Sequence, residues 1–353
     1  MRRRLVRLEP DFSSPGPARC PAPPGVIVRR RSVAVLASVL AIVVVACRST
    51  TPVVSAPLKP SGLAADIAYL ASRALQGRAA GTPGNDSAAV FLARRHQALG
   101  LPGAFPGLCA VEQSCPWSYF QPFTSPEVSG RNVGAFIRGA DEALLRQFVV
   151  VGAHFDHLGT SPRFARDPEL RSSARLGADD NASGTAAVLE LARRLSASPP
   201  PRSVIIVHFD AEEYGLVGSR AFVQSPPIPA SAIVFMLNLD MVGRLRGRDV
   251  LVDGSVADAQ TRALADSVAK ALRVSAARSS ASTGRSDHAA FASVGVPALS
   301  LTSGFHADYH RTTDVASRID VPGIARIVDL AEGVVRAAAT RTWAPRQSSS
   351  IRW

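Results

Sequence analysis

The sequence predicts a three-layer α/β/α fold with a mixed, largely parallel central sheet, and two observations predict it. From residue 131 onward, short Val/Ile-rich runs alternate with segments of helical periodicity. Alternation of this kind builds a sheet covered by helices on both faces. In addition, His154, Asp180, Glu213, Asp240 and His310 each sit in a segment offering a hard metal ligand, and four of the five segments follow a short apolar run. That places the ligands at strand ends, where an α/β sheet puts its binding crevice.

Taken in order, residues 62–72 and 84–99 carry apolar residues at helical spacing. The segment 100–117 is a Gly/Pro-containing loop. Residues 131–138 and 147–153 read as strands, 183–196 as a helix and 203–210 as a Val/Ile-rich strand. A helix over 216–224 follows, then strands at 232–239 and 250–252, a helix at 257–272, a strand at 297–301 and a closing helix at 321–340. The tail 341–353 is expected to be disordered. No internal repeat is visible, and no stretch is long enough for a second folded domain.

The chain has 353 residues, 46% of them apolar, which supports a substantial core. The formal charge of +12 is uneven, because residues 1–46 hold eight Arg against Glu9 and Asp11. Elsewhere Arg94, Arg95, Arg193 and Arg194 fall on helical surfaces and read as solvated faces. No basic stripe is interleaved with aromatics, which argues against nucleic acid as a partner.

Residues 33–46 are apolar apart from Ser38 and follow the basic Arg29-Arg30-Arg31. The run is short for a membrane span and has the basic flank of a secretory signal. It ends in Val44-Val45-Ala46-Cys47, which resembles the bacterial lipobox, where the Cys is lipidated and becomes the new N-terminus. The resulting expectation is an exported, membrane-anchored lipoprotein, with an uncleaved membrane anchor or ordinary signal cleavage as the alternatives. An N-terminal extension and signal segment would span 1–47, and a Pro/Ser/Thr-rich tether 48–61. Cys20 lies in the part expected to be removed. Cys109 and Cys115 stay in the exported part, where an oxidising compartment favours a disulfide between them.

His154 emerges at the end of Phe148-Val149-Val150-Val151-Gly152-Ala153. Asp156, two residues on, can hold its other ring nitrogen and fix the tautomer. His157 reads as structural. Asp179-Asp180-Asn181 precedes a helix, where one cap is ordinary but two acids and an Asn exceed what one cap requires. Glu212 and Glu213 follow the buried-looking run Val204-Ile205-Ile206-Val207-His208-Phe209, and adjacent acids there are costly unless paired or metal-bound. Either could ligate a metal while the other carries a proton. Asp240 ends another apolar run. His310 lies in a polar loop with His306 as a competitor. Two imidazoles and three carboxylates suit a pair of zinc ions sharing one carboxylate.

Together these motifs resemble the M28 family of zinc metallopeptidases over roughly residues 62–340. Ala79-Ala80-Gly81-Thr82-Pro83-Gly84, Asn238-Leu239-Asp240-Met241-Val242-Gly243-Arg244 and Ser286-Asp287-His288-Ala289-Ala290-Phe291 add to the match. The resemblance implies a zinc-exopeptidase-like fold and an aminopeptidase acting on peptides with a free N-terminus. It implies that Asp180 bridges two zinc ions, with His154 and Asp240 completing one site and Glu213 and His310 the other. By the same resemblance Glu212 is the general base, Tyr309 steadies the tetrahedral intermediate, and Arg285 and Asp287 contact substrate. Competing readings are a glutaminyl cyclase of the same fold and a surface-anchored binding protein without turnover. Every expected ligand position carries a competent residue, which argues against the latter.

Mass spectrometry of the native protein is expected to find Cys47 acylated at a new N-terminus. An unmodified Cys47 inside an intact apolar segment would contradict export as a lipoprotein.

Overall fold

The computed structural model describes residues 62–107, 117–254, 259–279 and 285–343. The signal segment, Cys47, the tether 48–61, Cys109 and Cys115 lie outside the described residues. Eight strands form one mixed sheet: β1 Phe120–Thr124, β2 Ser129–Ile137, β3 Phe148–His154, β4 Ser203–Phe209, β5 Ile233–Leu239, β6 Val250–Asp253, β7 Ala276–Arg278 and β8 Ala298–Thr302. Their order is β1-β2-β4-β3-β5-β8-β6-β7. The central strands β4, β3, β5 and β8 run parallel, while β1, β2 and the β6–β8 pair bring in antiparallel neighbours.

β3 and β4 are buried at every residue, as their unbroken apolar runs require when helices cover both faces of a sheet. On one face lie α1 Leu63–Leu70, α3 Gly184–Ala197, α5 Ala259–Leu272 and α7 Val321–Thr340. Their apolar stripes, including Leu191, Leu195, Val334 and Val335, pack on Val149, Val151, Ile206 and Leu237. On the other face, α4 Val217–Gln224 and α6 His288–Ser293 bring Phe222 and Phe291 against Phe209. α2 Pro83–Ala98 packs beside β2 and starts as its sequence suggests. Pro83 opens the helix, and Thr82 accepts a hydrogen bond from the Asn85 amide. α7 repeats the device with Asp320 and Pro322.

Three elements escape the sequence reading. β1 carries Pro122 and is half exposed, which an edge strand tolerates. β7 and α6 are three and six residues long, too short for a periodic signal. The tail also differs from expectation at its start. Trp343 stacks on Phe235 with ring centroids 5.6 Å apart and donates its indole N–H to the Ala338 carbonyl. The ordered domain therefore continues past 340, because an aromatic finds apolar area near the start of β5. Residues 344–353 lie outside the described residues.

One buried pair links α2 to the sheet. His96 Nε2 lies 3.0 Å from His208 Nε2, so one ring donates to the other. Burial pushes His96 down to about 3, helped by Arg95, and holds His208 well below the ordinary range. The folded chain keeps both rings neutral, while the unfolded chain binds a proton at each below pH 6.5. The pair's contribution to stability is therefore complete above pH 6.5 and is lost as pH falls towards about 3. Asp210, pushed up to about 7 by burial, acts in the opposite sense, so the pair is read from a difference. Denaturant titrations should show wild type losing about 1–3 kcal/mol more per pH unit than the His96→Leu/His208→Leu double variant. Parallel pH profiles would contradict a neutral pair.

Candidate metal centre

Three neighbouring parallel strands deliver most of the site from their C-terminal ends. His154 is the last residue of β3, Asp240 directly follows β5, and Glu212 and Glu213 follow β4. Asp180 comes from the turn before α3, and His310 from the loop after β8. The fold brings all five expected ligands together.

The distances define two triangles sharing one carboxylate. His154 Nε2 lies 3.3 Å from Asp180 Oδ1 and 3.4 Å from Asp240 Oδ1. His310 Nε2 lies 3.1 Å from Asp180 Oδ2 and 3.3 Å from Glu213 Oε2. A tetrahedral zinc with arms of about 2.0–2.1 Å has ligand–ligand edges of about 3.3–3.4 Å. Asp180 thus presents one oxygen to each triangle. The donor set fits zinc, and the buried Asp240 Oδ1 has no hydrogen-bond partner among the described residues.

The surroundings aim these groups. His310 Nδ1 faces the Phe164 carbonyl at 2.9 Å, which turns Nε2 towards the carboxylates. Asp156 does less for His154 than the sequence suggests, since its Oδ1 lies 3.6 Å from Nδ1, beyond a good hydrogen bond. It instead accepts the backbone amides of Glu212 (3.0 Å) and Glu213 (3.3 Å), pinning the loop after β4. His157, read as structural from the sequence, lies with Nδ1 2.8 Å from Glu213 Oε1 and 3.9 Å from Asp180 Oδ2. His157, Asp180 and Glu213 form a second metal-capable grouping beside His154, Asp180 and Asp240. Its short contact to Glu213 is a hydrogen-bond distance, whereas His310 stands at ligand–ligand distance from both acids. His157 therefore orients Glu213.

The turn carrying Asp180 explains why three polar residues precede α3. Asn181 Oδ1 accepts from the amides of Gly184 (2.9 Å) and Met241 (3.2 Å), so it serves the helix start. Asp179 Oδ1 accepts from Ser183 and Gly243, and its Oδ2 lies 3.0 Å from His306 Nε2. His306 thereby pairs with Asp179 and not with the ligands. Asp180 is left to point into the cleft. Gly177 must lack a side chain, because at φ +57° a Cβ would strike the Asp180 carbonyl and the His157 ring.

Sequence reasoning missed the groups beneath this turn. Asp314 Oδ2 accepts both the Asp179 and Asp180 amides, at 2.8 and 3.1 Å. Arg244 joins Asp314 Oδ1 (2.8 Å) to Asp308 Oδ2 (3.0 Å). Arg78, wholly buried, donates to the carbonyls of Leu70, Phe155, Leu176 and Gly177. It ties the chain after His154 to the chain before Asp180. An Arg within the Gly77–Gly81 segment was the only signal for it.

Electrostatics separates the two glutamates. Burial pushes the Glu212 carboxyl up; His154 opposes this, but Glu213, Asp287 and Asp240 add to the rise and leave it well above the usual range. Burial and Asp180 push the Glu213 carboxyl up as well, yet hydrogen bonds from His157 and His310 bring it down to about 2. Burial would lower His310, but Asp180 and Glu213 raise it to about 11. Tyr309 stacks on His310 at 3.8 Å, and burial with the nearby acids raises its pKa, so its hydroxyl stays protonated.

The cluster opens into a cavity of about 580 Å³ whose walls include Glu212, Tyr309 and Arg285. Asp287, expected to contact substrate, is wholly buried and is not among the cavity walls. It lies behind the site, where burial pushes it up to about 7.

With this geometry in view, the profile described as Peptidase family M28 matches residues 132–335, more than half of the chain, and the chain belongs to that family. It is 29% identical over 247 residues to the probable lipoprotein aminopeptidase LpqL of Mycobacterium tuberculosis, covering 59% of this chain and 45% of the relative. It is 31% identical over 201 residues to leupeptin-inactivating enzyme 1 of Streptomyces exfoliatus, covering 56% and 41%. The chain thus spans less than half the length of these curated relatives. Among solved structures, a zinc aminopeptidase from Bacillus subtilis aligns with a TM-score of 0.62 at 17% identity, covering 80% of this chain and 96% of that one. A Zn-dependent exopeptidase from Parabacteroides distasonis aligns with a TM-score of 0.62 at 21% identity, covering 79% and 97%. These structures share the α/β/α fold.

Arg244 is nearly buried between two carboxylates. Arg244→Ala leaves Asp314 without its cation, while Asp308 keeps Arg318, and should cost about 3–5 kcal/mol in denaturant unfolding. A loss below about 1 kcal/mol would show that the turn under Asp180 does not depend on this bridge.

Proposed function

We propose that this chain is an exported zinc-dependent aminopeptidase, holding two zinc ions and removing residues from peptides with a free N-terminus. The observation that carries the reading is the Asp180 carboxylate facing two imidazoles, each of which lies 3.1–3.4 Å from Asp180 and from a second carboxylate. His154, Asp180 and Asp240 would hold one ion, and Glu213, Asp180 and His310 the other. Bound there, zinc would acidify water and polarise the scissile carbonyl. The aminopeptidase names of LpqL and of YwaD from Bacillus subtilis, 28% identical over 209 residues, support the substrate class. The lipoprotein name of LpqL supports export and a lipid anchor at Cys47.

Glu212 is the residue suited to move the proton. It lines the cavity, takes no part in either triangle, and has a carboxyl whose affinity for a proton is raised by its surroundings. Its carboxylate accepts the proton of the attacking water and returns it to the leaving amine. Tyr309 keeps its hydroxyl proton and lines the same cavity, so it can donate to the oxyanion that forms on the former carbonyl oxygen. Arg285 stands on the cavity wall, exposed, where it can meet the substrate chain.

Hydrolysis of leucine anilide, absence of hydrolysis of its N-acetyl form, loss with a chelator and recovery with zinc together test the reading. Turnover of the acetylated substrate at equal rate would overturn the free-amine requirement. Cyclisation of an N-terminal Gln peptide without anilide hydrolysis would replace the reading with the cyclase. The two glutamates should then split. Glu212→Gln is expected to keep its zinc and lose about 10²–10⁴-fold in kcat. Glu213→Gln is expected to bind zinc more weakly, because a neutral amide is a poorer ligand. Zinc loss in Glu212→Gln with full retention in Glu213→Gln would reverse the roles.

A further inference from the structure

The cavity continues past the ligand cluster to the ends of β6 and α6, and its wall there is polar. Asp253 is the last residue of β6 and His288 the first of α6. Both line the cavity, and both are buried, with 2% and 1% of their surface exposed. His288 Nε2 lies 3.5 Å from Asp253 Oδ2, and neither ring nitrogen of His288 has a hydrogen-bond partner among the described residues. The neighbouring wall is built from the hydroxyls of Ser286 and Ser300, which take hydrogen bonds from the Asn238 amide at 2.8 and 3.2 Å. A carboxylate, an imidazole and two hydroxyls are thus held together on a surface that no proposed catalytic step uses.

From this geometry we infer that the cavity selects peptides whose N-terminal residue has a long basic side chain, with Asp253 as its charge partner and His288 as a second hydrogen-bonding group. The inference rests on the aminopeptidase reading and names the substrate class of that site. An aliphatic side chain filling this space would strip water from Asp253 and His288 and give nothing back. An ammonium or guanidinium replaces that water with a charge-assisted hydrogen bond. A carboxylate can accept several such bonds at once, so other contacts of Asp253 do not exhaust it. An acidic side chain would meet a like charge. Arg166 and Arg285, the two arginines on the cavity wall, do not cancel the preference, because both are exposed and solvent screens them.

Lysine and norleucine anilides differ at the side-chain tip by an ammonium against a methyl group, and glutamine anilide supplies a neutral polar control. With the full chain supplemented with zinc, kcat/KM for lysine should exceed that for norleucine and glutamine by about tenfold or more. In Asp253→Asn, which keeps the shape and removes the charge, the lysine-to-norleucine ratio should fall by at least about tenfold. A merely structural role for Asp253 would lower both rates and leave the ratio unchanged, which would overturn the inference. So would a wild-type enzyme that favours norleucine or glutamine, a result that needs no variant. Turnover of none of the three anilides would instead bring down the aminopeptidase reading itself.

Discussion

The Asp180 carboxylate is the constraint on which the rest of the site depends. Its two oxygens face two different imidazoles, His154 at 3.3 Å and His310 at 3.1 Å. One small side chain therefore fixes the separation of everything on either side of it. Burial would drive this carboxyl towards its protonated form, but hydrogen bonds from the two imidazoles hold it well below the usual range. Ionised and placed between the two sets of donors, it is suited to serve two cations. A chain segment that drifted by an ångström would lose both triangles together.

Holding a buried anion in one place takes several independent restraints, and the fold supplies them from distant parts of the sequence. Asp314 takes the amides of Asp179 and Asp180, Asn181 diverts its own side chain to the start of α3, and Arg78 straps the flanking loops by four backbone carbonyls. Arg244 then compensates Asp314 and Asp308. Buried charges of this kind are weak contributors to stability but strong determinants of geometry, since each fails badly when its partner is removed. The aromatic and aliphatic packing on both faces of β3 and β4 provides the stability, and the charged strapping provides the aim.

What could be read from the sequence follows the same division. β3, β4 and β5 were legible because a buried parallel strand must be continuously apolar, and His154, Glu212, Glu213 and Asp240 were legible because an acid or imidazole closing such a run has few structural uses. The family resemblance, not the residue chemistry, separated Glu212 from Glu213 and put His310 before His306; the structure pairs His306 with Asp179. The way His157 orients Glu213 was not legible, because the contact spans 56 residues and leaves no local trace. Arg78 and Asp314 were invisible for the same reason. Asp287 was expected at the substrate, yet its position at the start of α6 turns it behind the wall that its neighbour His288 lines.

That two zinc ions share Asp180 is tested by diffraction recorded above and below the zinc absorption edge from crystals of the zinc-loaded protein. Two anomalous peaks about 3.5–4 Å apart are expected with Asp180 between them, His154 and Asp240 beside one and Glu213 and His310 beside the other. A single peak, or two peaks that leave Asp180 bound to only one, would contradict it.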